Sequence, residues 1–135
     1  MNEQILIKLQ RTQLKPYTGL FPTIGAVDKI LNLPSDYLDF IRLHNGCVGF
    51  IGKFDNYIDF WELENVLELN PYYPDEQFCK EAIIIGSNGG GTLYGYDLKD
   101  KCFFKTDEYE MTRDSIIKYG TTFLDLITKL ELEVY

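Results

Sequence analysis

Ala82-Ile83-Ile84-Ile85-Gly86-Ser87-Asn88-Gly89-Gly90-Gly91-Thr92-Leu93-Tyr94-Gly95-Tyr96-Asp97 holds both the strongest strand signal in the chain and its most unusual backbone. Ala82 to Ile85 is short, apolar and rich in β-branched residues, and Gly86 bounds it, as in a strand buried on both faces at the centre of a sheet. Thr92 to Asp97 reads as its antiparallel neighbour. Ser87 to Gly91 between them tolerate positive φ, as a tight hairpin or bulged turn requires. A phosphate loop is a poorer reading of the same glycines. A Walker loop needs Gly-Lys-Ser/Thr before a helix, and a dinucleotide fingerprint needs its glycines to open one. Here the run leads into the strand-like Thr92-Leu93-Tyr94-Gly95-Tyr96, so no helix N-terminus is offered to an anion.

The chain has 135 residues, enough for one core that buries roughly 68–70% of the unfolded surface, and it reads as a single domain over 1–135. Its net charge of -8 argues against nonspecific nucleic-acid binding, which needs clustered Lys and Arg. The same charge suits a basic partner and steers it electrostatically, although acidity also serves solubility. Met1-Asn2-Glu3-Gln4 has no basic stretch with an apolar one behind it, and no segment approaches 18 consecutive apolar residues, so a cytoplasmic protein without a membrane role is expected. Cys47, Cys79 and Cys102 are widely spaced and odd in number, which suits reduced thiols better than disulfides or zinc.

Around the central hairpin the pattern places helices first. Ile5, Leu6 and Leu9 fit a helical face, while Ile5, Ile7 and Leu9 fit strand alternation equally well, and helix is slightly preferred. Lys15 to Pro22 reads as a connector, and Thr23 as the N-cap of a helix carrying Ile24, Val27, Ile30 and Leu31. Ser35 then caps a helix through His44, with Tyr37, Phe40, Ile41 and His44 on one face and Asn45-Gly46 as its stop. Cys47 to Ile51 and Asn56 to Trp61 read as strands, and Glu62 to Leu69 as a short helix. Tyr72 to Asp75 reads as loop, Cys102 to Thr106 and Ile116 to Tyr119 as further strands. Gly120-Thr121-Thr122 opens a last helix with Phe123, Leu126, Ile127 and Leu130 facing the core. This order predicts an α+β fold: a mostly antiparallel twisted sheet of about five to six strands with flanking helices.

Several pieces, in this order, resemble the SUKH superfamily, which includes fungal glucan-synthesis regulators and many bacterial immunity proteins. They are Leu33-Pro34-x-x-Tyr37-x-x-Phe40, Asn45-Gly46 with Gly49, Trp61 before the Leu63 helix, Ile85-Gly86-x-x-Gly89-Gly90-Gly91, Tyr94 to Asp97, and Gly120-Thr121-Thr122-Phe123-Leu124. They span roughly residues 23 to 130 and imply a SUKH-like fold. The resemblance further implies a non-catalytic, protein-binding domain, an immunity protein that neutralises a toxin domain encoded nearby, such as a nuclease, by occluding it. Alternatives are a Smi/Knr-type regulatory scaffold in cell-envelope or cell-wall assembly and a small-ligand-binding domain. A monomer or weak dimer is expected, with no cofactor or metal.

The contact residues expected for a protein partner are Tyr57, Asp59, Trp61, Asn88, Gly89, Gly90, Tyr94 and Asp97. Carboxylates such as Asp55, Asp59, Asp97 and Asp100 would mimic phosphates, and Tyr57, Tyr94 and Tyr96 would serve as rigid anchors over roughly 1,600 Å² of interface. Trp61 suits the core somewhat better than a contact, tryptophan being common in both. Catalysis has little to stand on. His44 is the one histidine, and Cys47 lies three residues on, but no orienting third group accompanies them. The carboxylate pairs Asp97/Asp100 and Asp107/Glu108 fall in polar turn sequence, where raised pKa values are not expected.

Overall fold

Alternation along the strands gives one sheet two chemically different faces. The computed structural model describes residues 2–16, 28–73 and 77–134. Among them the helices are α1 (Glu3–Lys8), α2 (Asp28–Leu31), α3 (Ser35–Leu43), α4 (Leu63–Leu69), α5 (Gln77–Glu81) and α6 (Phe123–Glu131), with a 3-10 turn at Asn70–Tyr72. The strands are β1 (Thr12–Pro16), β2 (His44–Ile51), β3 (Asn56–Phe60), β4 (Ala82–Ser87), β5 (Thr92–Asp97), β6 (Cys102–Asp107) and β7 (Ile117–Gly120). All pair antiparallel in the order β1 to β7, so every strand lies beside its neighbours in sequence. The fold is α+β, with seven strands where about five to six were expected.

One face carries the large core. Tyr37, Phe40 and Ile41 of α3, Ile5 of α1 and Phe123, Leu126, Ile127 and Leu130 of α6 meet Phe60, Tyr94 and Phe103 of the sheet. Phe123 is the hub, its ring centroid 5.1 Å from Phe40, 5.2 Å from Tyr37 and from Phe60, and 6.0 Å from Phe103. Its helix is fastened at the same end. Thr122 and Asp125 form a reciprocal capping box, and Asp36 of α3 accepts from the Phe123 and Leu124 amides at 3.0 and 2.9 Å. The opposite face has a smaller cluster in which Phe78 of α5 and Met111 cover Ile84, Leu93 and Phe104.

The differences from expectation are local. Pro16 obscured β1, which is an edge strand and so tolerates a residue without an N–H. Residues 17–27, which include the Thr23 cap, lie outside the described residues, as do Pro74 and Asp75. Within the stretch read as loop, Tyr72 belongs to the 3-10 turn, and five-residue α5 follows it with Phe78 as its one buried residue, too short to show a period. Pro34, not Ser35, occupies the cap position of α3. Nor do Asn45-Gly46 stop that helix: His44 is already extended, and both residues lie within β2. Asn45 instead accepts from the Leu63 amide at 2.8 Å and so caps α4. Gly46, at φ +97°, passes so close to β3 that a Cβ would stand 2.4 Å from the Phe60 carbonyl oxygen.

Phe123→Ala should remove about 3–5 kcal/mol of stability, whereas Leu132→Ala, exposed just past α6, should change it by less than about 0.5 kcal/mol. Urea unfolding of the two variants checks this; equal midpoints would remove Phe123 from its place as hub.

Candidate functional site

The register of β2 on β3 sorts the side chains. Cys47↔Phe60 and Gly49↔Ile58 point into the helix-covered core, so Val48↔Asp59 and Phe50↔Tyr57 point to the other face. On that face α5 and the segment 108–116 cover β4 to β6, but β2 and β3 stay open. Phe50 is 47% exposed and Tyr57 38%, and the two rings stand edge to face at 5.8 Å. Exposed aromatics that pack on each other while facing water are unusual for a sheet face.

The glycine loop borders this open half. Gly89, at φ +76°, lies over Tyr57, and a Cβ there would come 3.2 Å from the tyrosine Cε1. Asn88 Oδ1 accepts from the Gly90 and Thr92 amides at 2.8 and 3.1 Å, and Ser87 Oγ accepts from the Gly89 amide at 3.3 Å. These amides are turned onto their own loop, so they form no anion-binding concavity, which agrees with the poor phosphate-loop match in the sequence. Asp59 completes the patch, with Lys15 Nζ 3.3 Å from its carboxylate. Trp61 is half-buried and packs against both clusters, while its backbone N–H donates to Ile85 at 2.9 Å.

Six of the eight expected contact residues therefore converge: Tyr57, Asp59, Trp61, Asn88, Gly89 and Gly90. The other two do not. Tyr94 is 1% exposed and packs on Phe60 from the helical side, behind the patch. Tyr96 is likewise buried, against Phe103. Asp97 is wholly buried, its carboxylate accepting from Arg113 and from the Lys99 amide at 3.0 Å. Alternation explains the first case, since Tyr94 and Tyr96 share a face two residues apart. Asp97 marks a turn and an ion pair. Phe50 and Val48 were missed; the signal that would have found them is the β2–β3 register, which hairpin length leaves open.

Arg113 fastens the covered half. It pairs with Asp97, Glu81 and, at 3.0 Å, Asp100, and its guanidinium lies 5.4 Å from the Phe78 ring. The Glu81 carboxyl is held below its usual range by Gln77, with Lys99 and Arg113 adding to the effect. For Asp100 desolvation pulls upward, but Lys118 and Arg113 outweigh it and the pKa is lowered.

The groups weighed for catalysis lie elsewhere. Cys47 is fully buried on the helical side, and burial pushes its thiol up to about 12, opposite to the activation a nucleophile needs. His44 stands half-buried beside Phe40, their ring centroids 6.4 Å apart. Among the described residues no helix is long and apolar enough to cross a membrane.

A seven-stranded antiparallel sheet with most of its helices on one face and α5 on a half-open second face defines an α+β domain. The chain matches the SMI1 / KNR4 family (SUKH-1) over residues 26–129 and belongs to that family. No curated protein matches it.

Because the Glu81 and Asp100 carboxyls have lowered folded-state pKa values, their pairing with Arg113 is fully present above the ordinary carboxylate range, about pH 4, and is lost as pH falls through the lowered values. Met111 is buried in the cluster with Phe78 and Phe104, and its methyl resonance should move toward its unfolded position in that window. Arg113→Met should produce the same change at neutral pH. An unmoved resonance in that variant would mean that packing alone holds the segment.

Proposed function

We propose that this chain is a one-domain, non-catalytic immunity protein of the cytoplasm that neutralises a toxin domain encoded beside it by covering a functional surface of that toxin. The observation that carries this reading is the exposed Phe50–Tyr57 pair on the open half of the sheet, with the rigid Gly89 turn packed against it. Membership of a binding family supports it. Aromatics of this kind are the residues on which interfaces concentrate their energy, because they bury large area at small entropic cost.

Charge supports a basic partner. The patch is bordered by Asp107 and Glu108 beside the Gly91 end of the loop and, on the other side, by Asp55 and Asp59, which pair with Arg11 and Lys15, in a chain whose net charge is -8. Such a surface attracts a cationic protein, and an enzyme that cleaves nucleic acid is cationic where its substrate's phosphates bind. Seated there, the aromatic pair would provide the buried centre, and the carboxylates would occupy the positions of phosphates at the rim.

Co-expression with the product of the neighbouring reading frame tests the proposal. Host survival and a one-to-one complex are expected. The double variant Phe50→Ala/Tyr57→Ala should lose about 2–4 kcal/mol of binding with its melting temperature unchanged. Continued killing, or a complex indifferent to these substitutions, would overturn it.

A further inference from the structure

Far from the open sheet face, a half-enclosed cavity of about 240 Å³ lies between α2, α4, the 3-10 turn, α5 and β4. Its walls are Ile30, Val66, Leu67, Pro71 and Ile83, with Cys79 to one side. Ile30, Val66 and Ile83 belong to the main core, so the cavity opens inward onto the apolar interior. The amide of Asn70, its most polar wall group, is fully engaged: it donates to Val66 and Ile84 carbonyls at 2.6 and 2.9 Å and accepts from the Ile84 amide at 2.8 Å. That network braces the wall and leaves no appetite for a ligand.

Lys29 is different. It stands at the mouth, where its ammonium donates to the Ala82 carbonyl at 3.2 Å, and among the described residues no carboxylate pairs with it. Desolvation lowers its pKa, although the neighbouring Cys79 opposes this. A cation at the rim of an apolar cavity, held by one neutral acceptor, is complementary to a molecule with an anionic head and an apolar tail. At ~30 Å³ for each water-sized group the cavity accommodates roughly eight of them, which sets the length of the tail.

We propose that this cavity is a binding site for a medium-chain carboxylic acid, with the alkyl tail against Val66, Leu67 and Ile83 and the carboxylate on the Lys29 ammonium. It is separate from the aromatic patch, and it stands or falls independently of the immunity reading. Size disfavours long fatty acids, and the engagement of the Asn70 amide by Val66 and Ile84 disfavours sugars and nucleotides.

Octanoate titrated into the full chain tests the proposal, followed by amide and methyl shifts and by the rate of Cys79 alkylation. Octanol and acetate serve as probes lacking the charge and the tail. Octanoate should shift Ile30, Val66 and Ile83 and slow Cys79 alkylation, octanol and acetate should do neither, and binding should weaken as pH rises and Lys29 deprotonates. Lys29→Met should weaken octanoate roughly tenfold to hundredfold, the worth of a charge-assisted hydrogen bond. Leu67→Trp, which fills the cavity without touching the charge, should abolish binding. Octanol binding as well as octanoate, an unaffected Lys29→Met variant, or the absence of any shift would overturn the proposal.

Discussion

The structure depends on a short seam between β3 and β4. Those strands share two residue pairs, Asp59↔Ser87 and Phe60↔Gly86, the shortest ladder in the sheet. On either side the chain forms longer antiparallel runs, β1 to β3 and β4 to β7. The approach at the seam is so close that a Cβ on Gly86 would stand 2.5 Å from the Asp59 carbonyl oxygen, so glycine is demanded by proximity and not by dihedral angle. Two ladder pairs cannot hold seven strands in one surface. The work falls to the aromatic rings above, where Phe60 on one side meets Tyr94 on the other directly and is joined to Phe103 through Phe123.

The candidate surface straddles the same seam. Phe50, Tyr57 and Asp59 come from the first run and the Asn88 to Gly90 turn from the second, so their relative position is only as firm as the Phe60–Gly86 contact and the core behind it. Preorganisation of a binding surface reduces what association must spend on ordering. Here it comes from buried rings on the opposite face of the sheet. Trp61 has a part in both: its side chain touches the two clusters and its backbone N–H extends the seam by one hydrogen bond to Ile85.

Much of this was legible in the chain. The Ala82 to Asp97 hairpin, the apolar faces of α3 and α6 and the antiparallel α+β order follow from period and turn chemistry, which are local. What escaped was set by tertiary geometry. Asn45-Gly46 looks like a helix stop, but it caps a different helix through the Leu63 amide and allows β2 to pass close to β3. Asp97 and Tyr94 look available because polar and amphipathic residues usually are, yet Arg113 and Phe60 bury them. Arg113 itself gave no sign, since an arginine sixteen residues beyond its carboxylate carries no local pattern. The open half of the outer face was likewise invisible, because it depends on α5 and the segment 108–116 reaching β4 to β6 and no farther.

The strict β1 to β7 order also governs how such a chain can assemble. Each strand, once made, finds its partner in the piece just completed, so the sheet can be laid down stepwise from the N-terminal side at little loop-closure cost. Phe60 and Tyr94 can already meet across its two runs, but the link from Phe60 to Phe103 waits for Phe123 of α6. A growing chain therefore carries a nearly finished sheet whose helical cover is incomplete until α6 emerges, and only then are its two runs locked well enough to hold a surface in place.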